Sequence, residues 1–114
     1  MLDRRFAVAA RRRRVLDALV RRIAESSVEA ICQLIGDRTK SMSVCEARGY
    51  VRARAAAEIR RQARLAFSQQ PGIDAAWEPL VILRATERAA PLALRQLSAE
   101  RAVQKDAASH RRAA

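Results

Sequence analysis

Four consecutive arginines, at positions 11–14, lie within a segment that otherwise has the apolar periodicity of an amphipathic helix. An α-helix has about 3.6 residues per turn, so four consecutive side chains point to all sides of it. Such a turn has no apolar face with which to join a hydrophobic core. We therefore expect it to project from the folded domain or to lie against a negatively charged partner.

The apolar residues that follow predict a long first helix, from about residue 3 to Ile35. They recur at intervals of three and four residues: Leu16, Leu19, Val20, Ile23, Ala30, Ile31 and Leu34. Ser26 and Ser27 can bond back to the preceding turn and bend a helix, so two shorter helices are the alternative. Gly36 is predicted to cap the C-terminal end.

A capping box predicts the start of the second helix, with Ser43 as N-cap and Glu46 at the third helical position. We expect this helix to continue to about Phe67 or Ser68. Its predicted apolar row is spaced mainly by four residues: Val44, Val51, Ala55, Ile59, Ala63 and Phe67.

The third helix is predicted from Trp77 to Ala90, after the breaker at residues 70–72 and with Asp74 as N-cap. Residues 80–83 are apolar throughout, so we expect them to be buried centrally or at a subunit contact, with a short buried strand as the alternative. Pro91 either begins a fourth helix or kinks a continuous one. The apolar positions of that fourth helix would be Leu92, Leu94, Leu97 and Val103.

These patterns predict an all-α protein, because β-branched residues never alternate over a long run. The 114 residues are enough for one small core. We expect a small bundle of three to four helices with a long N-terminal helix and a frayed C-terminal tail. The predicted domain covers residues 1–104, its first 14 residues forming an arginine-rich extension, and residues 105–114 form a flexible tail.

The net charge of +11 is unevenly distributed. Residues 1–70 carry +9 and residues 71–114 carry +2, which favours an acidic partner for the N-terminal part. A GC-rich genome would explain why arginine outnumbers lysine 21 to 2. It would not explain the shortage of acidic residues.

One side of the second helix is basic and carries a single aromatic residue, Tyr50. Arginine binds phosphate through two parallel hydrogen bonds, and tyrosine can stack on a base, so this stripe is typical of a nucleic-acid surface. A solvated helix face with Tyr50 partly buried is the alternative interpretation. The residues predicted to bind nucleic acid are Arg11, Arg12, Arg13, Arg14, Arg21, Arg22, Tyr50, Arg54, Arg61 and Arg64.

No residue pattern predicts catalysis, a metal site or a cofactor. The three glycines are isolated, and the only histidine, His110, lies in the polar tail. Cys32 and Cys45 are 13 residues apart, which is not a metal-ligand spacing, and we expect each to be a small buried apolar residue. The chain is therefore not expected to be an enzyme.

We predict a small basic helical protein that binds DNA or RNA through phosphate contacts, with low sequence specificity, alone or as a subunit of a nucleoprotein complex. The alternative is a helical scaffold or adaptor that oligomerises or docks on an acidic protein. Attachment to a membrane surface is the least favoured hypothesis, because the apolar residues of the first helix are needed for the core. A cytoplasmic location is the default expectation, since no apolar run approaches the length of a membrane span.

Overall fold

The structure, a computed structural model, describes residues 3–113. It contains three helices, α1 (Arg4–Ile35), α2 (Val44–Gln69) and α3 (Glu78–Ala113), with a short 3₁₀ turn at Ala75–Trp77. No strand occurs among these residues, which confirms the all-α fold and rules out the strand alternative for residues 80–83. Residues 1 and 2 of the predicted extension and residue 114 of the predicted tail lie outside the described residues.

Local sequence signals determine where the first two helices begin and where α1 ends. The Asp3 carboxylate accepts a hydrogen bond from the Arg5 amide (3.3 Å), and the Ser43 hydroxyl accepts one from the Glu46 amide (3.2 Å). Gly36 has a φ of 54°, and its amide donates to the Cys32 carbonyl to close α1. The predicted N-cap of α2 and C-cap of α1 are thus confirmed, and α2 ends one or two residues later than predicted.

The two serines within α1 do not interrupt it. Both hydroxyls donate to the Ile23 carbonyl, at 3.2 Å from Ser26 and 2.6 Å from Ser27. Because these bonds form alongside the helical backbone bonds, Ser27 can be buried with its hydroxyl satisfied. The alternative of two helices is wrong, and α1 is a single helix of 32 residues.

The C-terminal half forms one helix where two were considered. Asp74 caps the 3₁₀ turn by accepting from the Ala76 amide at 2.9 Å, and α3 begins at Glu78 with Pro79 in its first turn. The helix continues through Pro91, so the separate fourth helix does not form. The segment after Lys105 is helical to Ala113, and its fraying stays a prediction.

Polar contacts define the direction of the helices. Asp17 pairs with Arg84, Glu25 with Arg88, and Glu29 accepts a hydrogen bond from Gln96, so α1 and α3 run parallel. The α2 helix runs antiparallel to both, because each short connection reverses the chain direction. The molecule is an up-down-up three-helix bundle.

Alanine forms much of the core that α2 and α3 contribute. The main row of buried positions in α3 has a spacing of four residues: Val81, Ala85, Ala89, Ala93 and Leu97. Those of α2 have the same spacing: Val51, Ala55, Ile59 and Ala63. Most of the larger buried side chains come from α1: Leu16, Leu19, Val20, Ile23, Ile31 and Ile35. Small side chains let helix axes approach closely, so we expect this thin core to be closely packed.

Several residues predicted to be apolar core positions are exposed. Leu34 is exposed and the next residue, Ile35, is buried, because the apolar stripe drifts around the last turns of α1. Val44 begins α2, and Val103 lies on α3 beyond the last buried residue, Leu97, so neither has a helix to pack against. Of residues 80–83 only Val81 is fully buried; Leu83 is 52% exposed because two neighbouring helices cover only one side of α3.

The bundle is elongated, with extents of 70 × 28 × 26 Å. Before Leu16, no residue of α1 from Arg4 onward is buried, and after Leu97 no residue of α3 is buried as far as Arg112. Because α1 and α3 are parallel, these two overhangs project from opposite ends of the molecule.

Replacing Ala89 with leucine tests the close packing of α3. Ala89 is fully buried, and extra methylenes in a filled core force neighbours apart, so A89L should lower the free energy of unfolding by about 1–3 kcal/mol. Ala99 is exposed on the same helix, so A99L should change it by less than about 0.5 kcal/mol. Urea denaturation followed by circular dichroism measures both, and equal stability of the two variants would contradict the packing.

Candidate nucleic-acid interface

The N-terminal arm, defined as residues 4–15 of α1, presents the four-arginine turn outside the core. Every residue of the arm is exposed except the half-buried Ala10. It carries six arginines and no acidic residue, with Asp3 just before it. Within the described chain no carboxylate lies within ion-pair distance of Arg11, Arg12, Arg13 or Arg14. The positive charge of this turn is therefore available to a partner.

The connection between α2 and α3 flanks one side of the arm. Val8 and Val15 face Ile73 and Trp77 across an open groove of about 330 Å³. Arg11, Arg12, Gly72 and Asp74 also line this groove. The four-arginine turn is thus level with the end of the bundle, and the part of the arm before residue 8 extends beyond the groove.

Arg21 and Arg22 lie on different sides of α1 despite being adjacent. Arg22 lines a shallow depression with Gln62, Leu65 and Gln69 of α2. Arg21 lies one helical turn from both Asp17 and Glu25, whose carboxylates pair with arginines of α3. The structure therefore places Arg22 beside α2 and leaves Arg21 on the charge-balanced side of α1.

Arginines cluster on the outer surface of α2 near its C-terminal end. Arg60, Arg61 and Arg64 surround Leu65 in a second shallow depression. Leu65 also lines the depression that contains Arg22, so Arg22 lies on the same surface as these arginines. The surface formed by Arg22, Arg60, Arg61 and Arg64 is called here the α2 basic face. Arg60 was missing from the predicted site, although it is exposed and has no ion pair among the described residues.

Arg61 is bound within the molecule. It forms a two-point ion pair with Glu58, at 2.7 and 3.2 Å, and Gln62 donates to the same carboxylate at 3.1 Å. Glu58 is only 5% exposed. Arg61 and then Gln62 hold its pKa below the ordinary value, against the opposing effect of burial. Arg61 therefore stabilises a buried charge, and it has less capacity than Arg60 or Arg64 to bind an external anion.

Tyr50 is also engaged by neighbouring arginines. Its hydroxyl accepts hydrogen bonds from Arg38 and Arg54, both at 3.1 Å, and these lower its pKa. The Arg54 guanidinium lies 5.3 Å from the centre of the ring, within cation–π distance. Tyr50 is half-buried against the core, so its ring is not presented as an open platform for a base, and this cluster lies away from the arm.

Acidic side chains are concentrated along the contact between α1 and α3. The Arg84–Asp17 and Arg88–Glu25 pairs have separations of 3.8 and 3.4 Å, and Gln96 donates to Glu29 at 2.8 Å. By contrast, α2 carries six arginines and two glutamates, one of them the buried Glu58. The molecule thus has a charge-balanced α1–α3 side and a positive side formed by the arm and α2.

The two cysteines differ in their surroundings. Cys32 is buried, its thiol donates to the Ala93 carbonyl, and burial together with Glu100 and Glu29 raises its pKa to about 11. Cys45 is exposed, so its predicted burial is wrong: it occupies the first turn of α2, which faces solvent. Among the described residues no three His, Cys, Asp or Glu side chains are grouped as a metal site would require.

None of the helices formed by the described residues has the length and apolar character needed to cross a membrane.

No family model, curated protein or solved structure shows a significant match to this chain.

Removing Arg61 should destabilise the fold in a pH-dependent way. The pKa of Glu58 is lower in the folded protein than its ordinary value. Its ionised form therefore contributes stability above the unfolded pKa, and this contribution is lost as the pH falls through the folded pKa. We expect R61Q to denature at a lower urea concentration than wild type at neutral pH, and the difference to shrink below about pH 4.

R60Q is the matched control, because Arg60 is the adjacent residue and has no ion pair in the described part of the chain. Both variants lose one positive charge. Equal denaturation midpoints for R61Q and R60Q at neutral pH would contradict a structural role for the Glu58–Arg61 pair.

Proposed function

We propose that this protein binds nucleic acid through the phosphate backbone, using the N-terminal arm as its main contact and the α2 basic face as a second one. The observation that carries the proposal is the exposure of the four-arginine turn with no internal carboxylate partner among the described residues. Neutralising phosphate with arginine releases counterions from the nucleic acid, which drives binding without reading its sequence.

The shape of the arm favours a duplex over a flat polyanion. Residues 4–15 form a rod about 18 Å long with arginines on several sides, and a planar anionic surface would engage only one of those sides. A duplex groove has phosphates along both walls, and the major groove of B-DNA admits an α-helix. The exposed arginines of the arm, including the four-arginine turn, are accessible to such a duplex.

The α2 basic face supports a backbone contact in addition to the arm. Arg22, Arg60 and Arg64 are exposed and have no ion pair within the described residues. Arg22 lies about 12 Å from the four-arginine turn along the bundle axis, because eight residues of α1 separate it from Arg14. One duplex can therefore span both, while the acidic residues of the α1–α3 side face away.

Changing the four arginines to glutamine should weaken nucleic-acid binding without unfolding the protein. The variant is R11Q/R12Q/R13Q/R14Q, and its thermal melt should match wild type because none of these side chains is buried. In salt titrations of labelled duplex DNA, single-stranded DNA and RNA, the slope of log K against log salt should become shallower. On B-DNA each lost phosphate contact contributes about 0.9 to that slope.

A matched pair of triple variants separates the contribution of the arm to binding from the contribution of net charge. R12Q/R13Q/R14Q and K105Q/R111Q/R112Q each remove three charges, the second set from the opposite end of the molecule. We expect the first to weaken duplex binding much more than the second. Equal losses would show a general charge effect, and wild-type binding that is absent at low salt or insensitive to salt would contradict the proposed function.

Docking on an acidic protein is the second candidate, favoured by the groove at the base of the arm. Val8, Val15, Ile73 and Trp77 line it, and Arg11 and Arg12 lie beside these apolar walls. Val8 is 56% and Val15 47% exposed. An acidic amphipathic helix could place apolar side chains in this groove and carboxylates against the arginines, whereas a nucleic acid has no need of the valines.

The fluorescence of Trp77 can be used to test docking in this groove, because Trp77 is the only tryptophan of the chain. A designed helical peptide with leucines flanked by glutamates should shift its emission to the blue on binding, and V8S/V15S should abolish the shift. V103S is the control, since Val103 is exposed on the opposite overhang. Equal binding of a glutamate-only peptide would exclude the groove as a docking site, and analytical ultracentrifugation would show whether a second copy occupies it.

A further inference from the structure

A second basic site lies at the end of the bundle opposite the N-terminal arm. There the α1–α2 connection, the first turn of α2 and the C-terminal half of α3 line an open cleft of about 450 Å³, a size typical of small-molecule sites. Its lining combines basic, hydroxyl and apolar side chains: Arg48, Arg95, Arg101, Thr39, Ser43, Ser98, Met42, Val44, Ala47, Leu94 and Leu97.

Three arginines line this cavity and no carboxylate does. Arg101 is fixed by a hydrogen bond from its guanidinium to the hydroxyl of Thr39, which is 3% exposed. Arg48 and Arg95 form no ion pair with any described acidic residue. Three positive charges that line one cleft repel each other, and this repulsion is relieved when an anion enters.

We propose that this cavity binds an organic phosphate. A phosphate group offers three or more acceptor oxygens to guanidinium groups from two helices, whereas a carboxylate offers only two. Met42, Leu94 and Leu97 supply an apolar wall for the organic part of the ligand. The hydroxyls of Ser43 and Ser98 are further donors beside the anion.

The amino-terminal turn of α2 adds to the positive potential of this site. Ser43 and Val44, at the start of the 26-residue helix, both line the cavity, and the N-terminal end of a helix carries partial positive charge. This contribution supplements the three arginines.

This site is separate from the proposed nucleic-acid interface. It shares no residue with the arm or the α2 basic face, and it is built around the connection that follows α1, at the far end of that helix from the arm. The phosphate can belong to a small metabolite or to the end of a nucleic-acid strand, and these sources share the chemistry that the cavity recognises.

Isothermal titration calorimetry with hexyl phosphate, inorganic phosphate and hexanoate tests the proposal. Hexyl phosphate should bind more tightly than either of the others, because it alone presents both the phosphate and an apolar chain. R48Q and R95Q should each weaken its binding by about tenfold, the effect of losing a hydrogen bond to a charged group. Both side chains are exposed, so thermal melts should stay at the wild-type temperature.

R111Q is the control variant, since it removes one arginine from α3 outside the cavity. It should leave hexyl phosphate binding unchanged. An equal loss in R111Q, equal affinity for hexyl phosphate and inorganic phosphate, or no binding of hexyl phosphate would each overturn the proposal.

A short single-stranded oligonucleotide with and without a 5′ phosphate distinguishes the two sources. If the phosphate strengthens binding in wild type but not in R95Q, the cavity accepts a strand end. If hexyl phosphate binds in an Arg95-dependent way and the 5′ phosphate has no effect, the cavity binds a small organic phosphate. Neither result depends on the four arginines of the arm, so failure of this proposal and failure of the proposed function can be told apart.

Discussion

Close packing of alanine-lined helix faces is the constraint on which the rest of this structure depends. The buried rows of α2 and α3 include Ala55, Ala63, Ala85, Ala89 and Ala93, which bury little apolar area each. Most of the larger buried side chains come from α1, and the first of them in the chain is Leu16. Because that apolar stripe begins only there, the described part of the helix before it has no fully buried side chain and forms an exposed arm.

The placement of acidic residues concentrates the positive charge on one side of the molecule. Asp17, Glu25 and Glu29 all contact α3, and Glu58 is buried against Arg61. These contacts balance charge on the α1–α3 side, whereas the arm and Arg60 and Arg64 of α2 have no ion pair among the described residues. The charge of +11 is therefore spread unevenly over the surface.

Local signals in the sequence predicted the boundaries of α1 and α2, but they left open whether α3 is one helix or two and did not predict the contacts between helices. The capping box at Ser43 and the glycine cap at Gly36 act within a few residues, so their positions follow directly from the sequence. The exposure of Leu83 and Cys45 depends on which side each helix turns toward its neighbours. That tertiary register cannot be read from the periodicity of a single helix.

The same distinction between local signals and tertiary contacts applies to the candidate sites. The exposure of the four-arginine turn follows from helical geometry alone, and it was predicted. The engagement of Arg61 by Glu58 was missed, although a separation of three residues on a helix is a signal that could have indicated it. The grouping of Arg48 with Arg95 and Arg101 joins residues about 50 positions apart in the chain, and only the antiparallel packing of α2 against α3 brings them together.

Hydrogen exchange of the protein alone and with duplex nucleic acid tests most directly the claim that the exposed arm is the binding element. In the protein alone, amides of residues 4–14 should exchange much faster than the core amides of α1 after Leu16, because no tertiary contact buries them. Added duplex should slow exchange in the arm and leave the α1–α3 side unchanged. Slow exchange of the arm in the protein alone, or new protection confined to the α1–α3 side, would contradict the account.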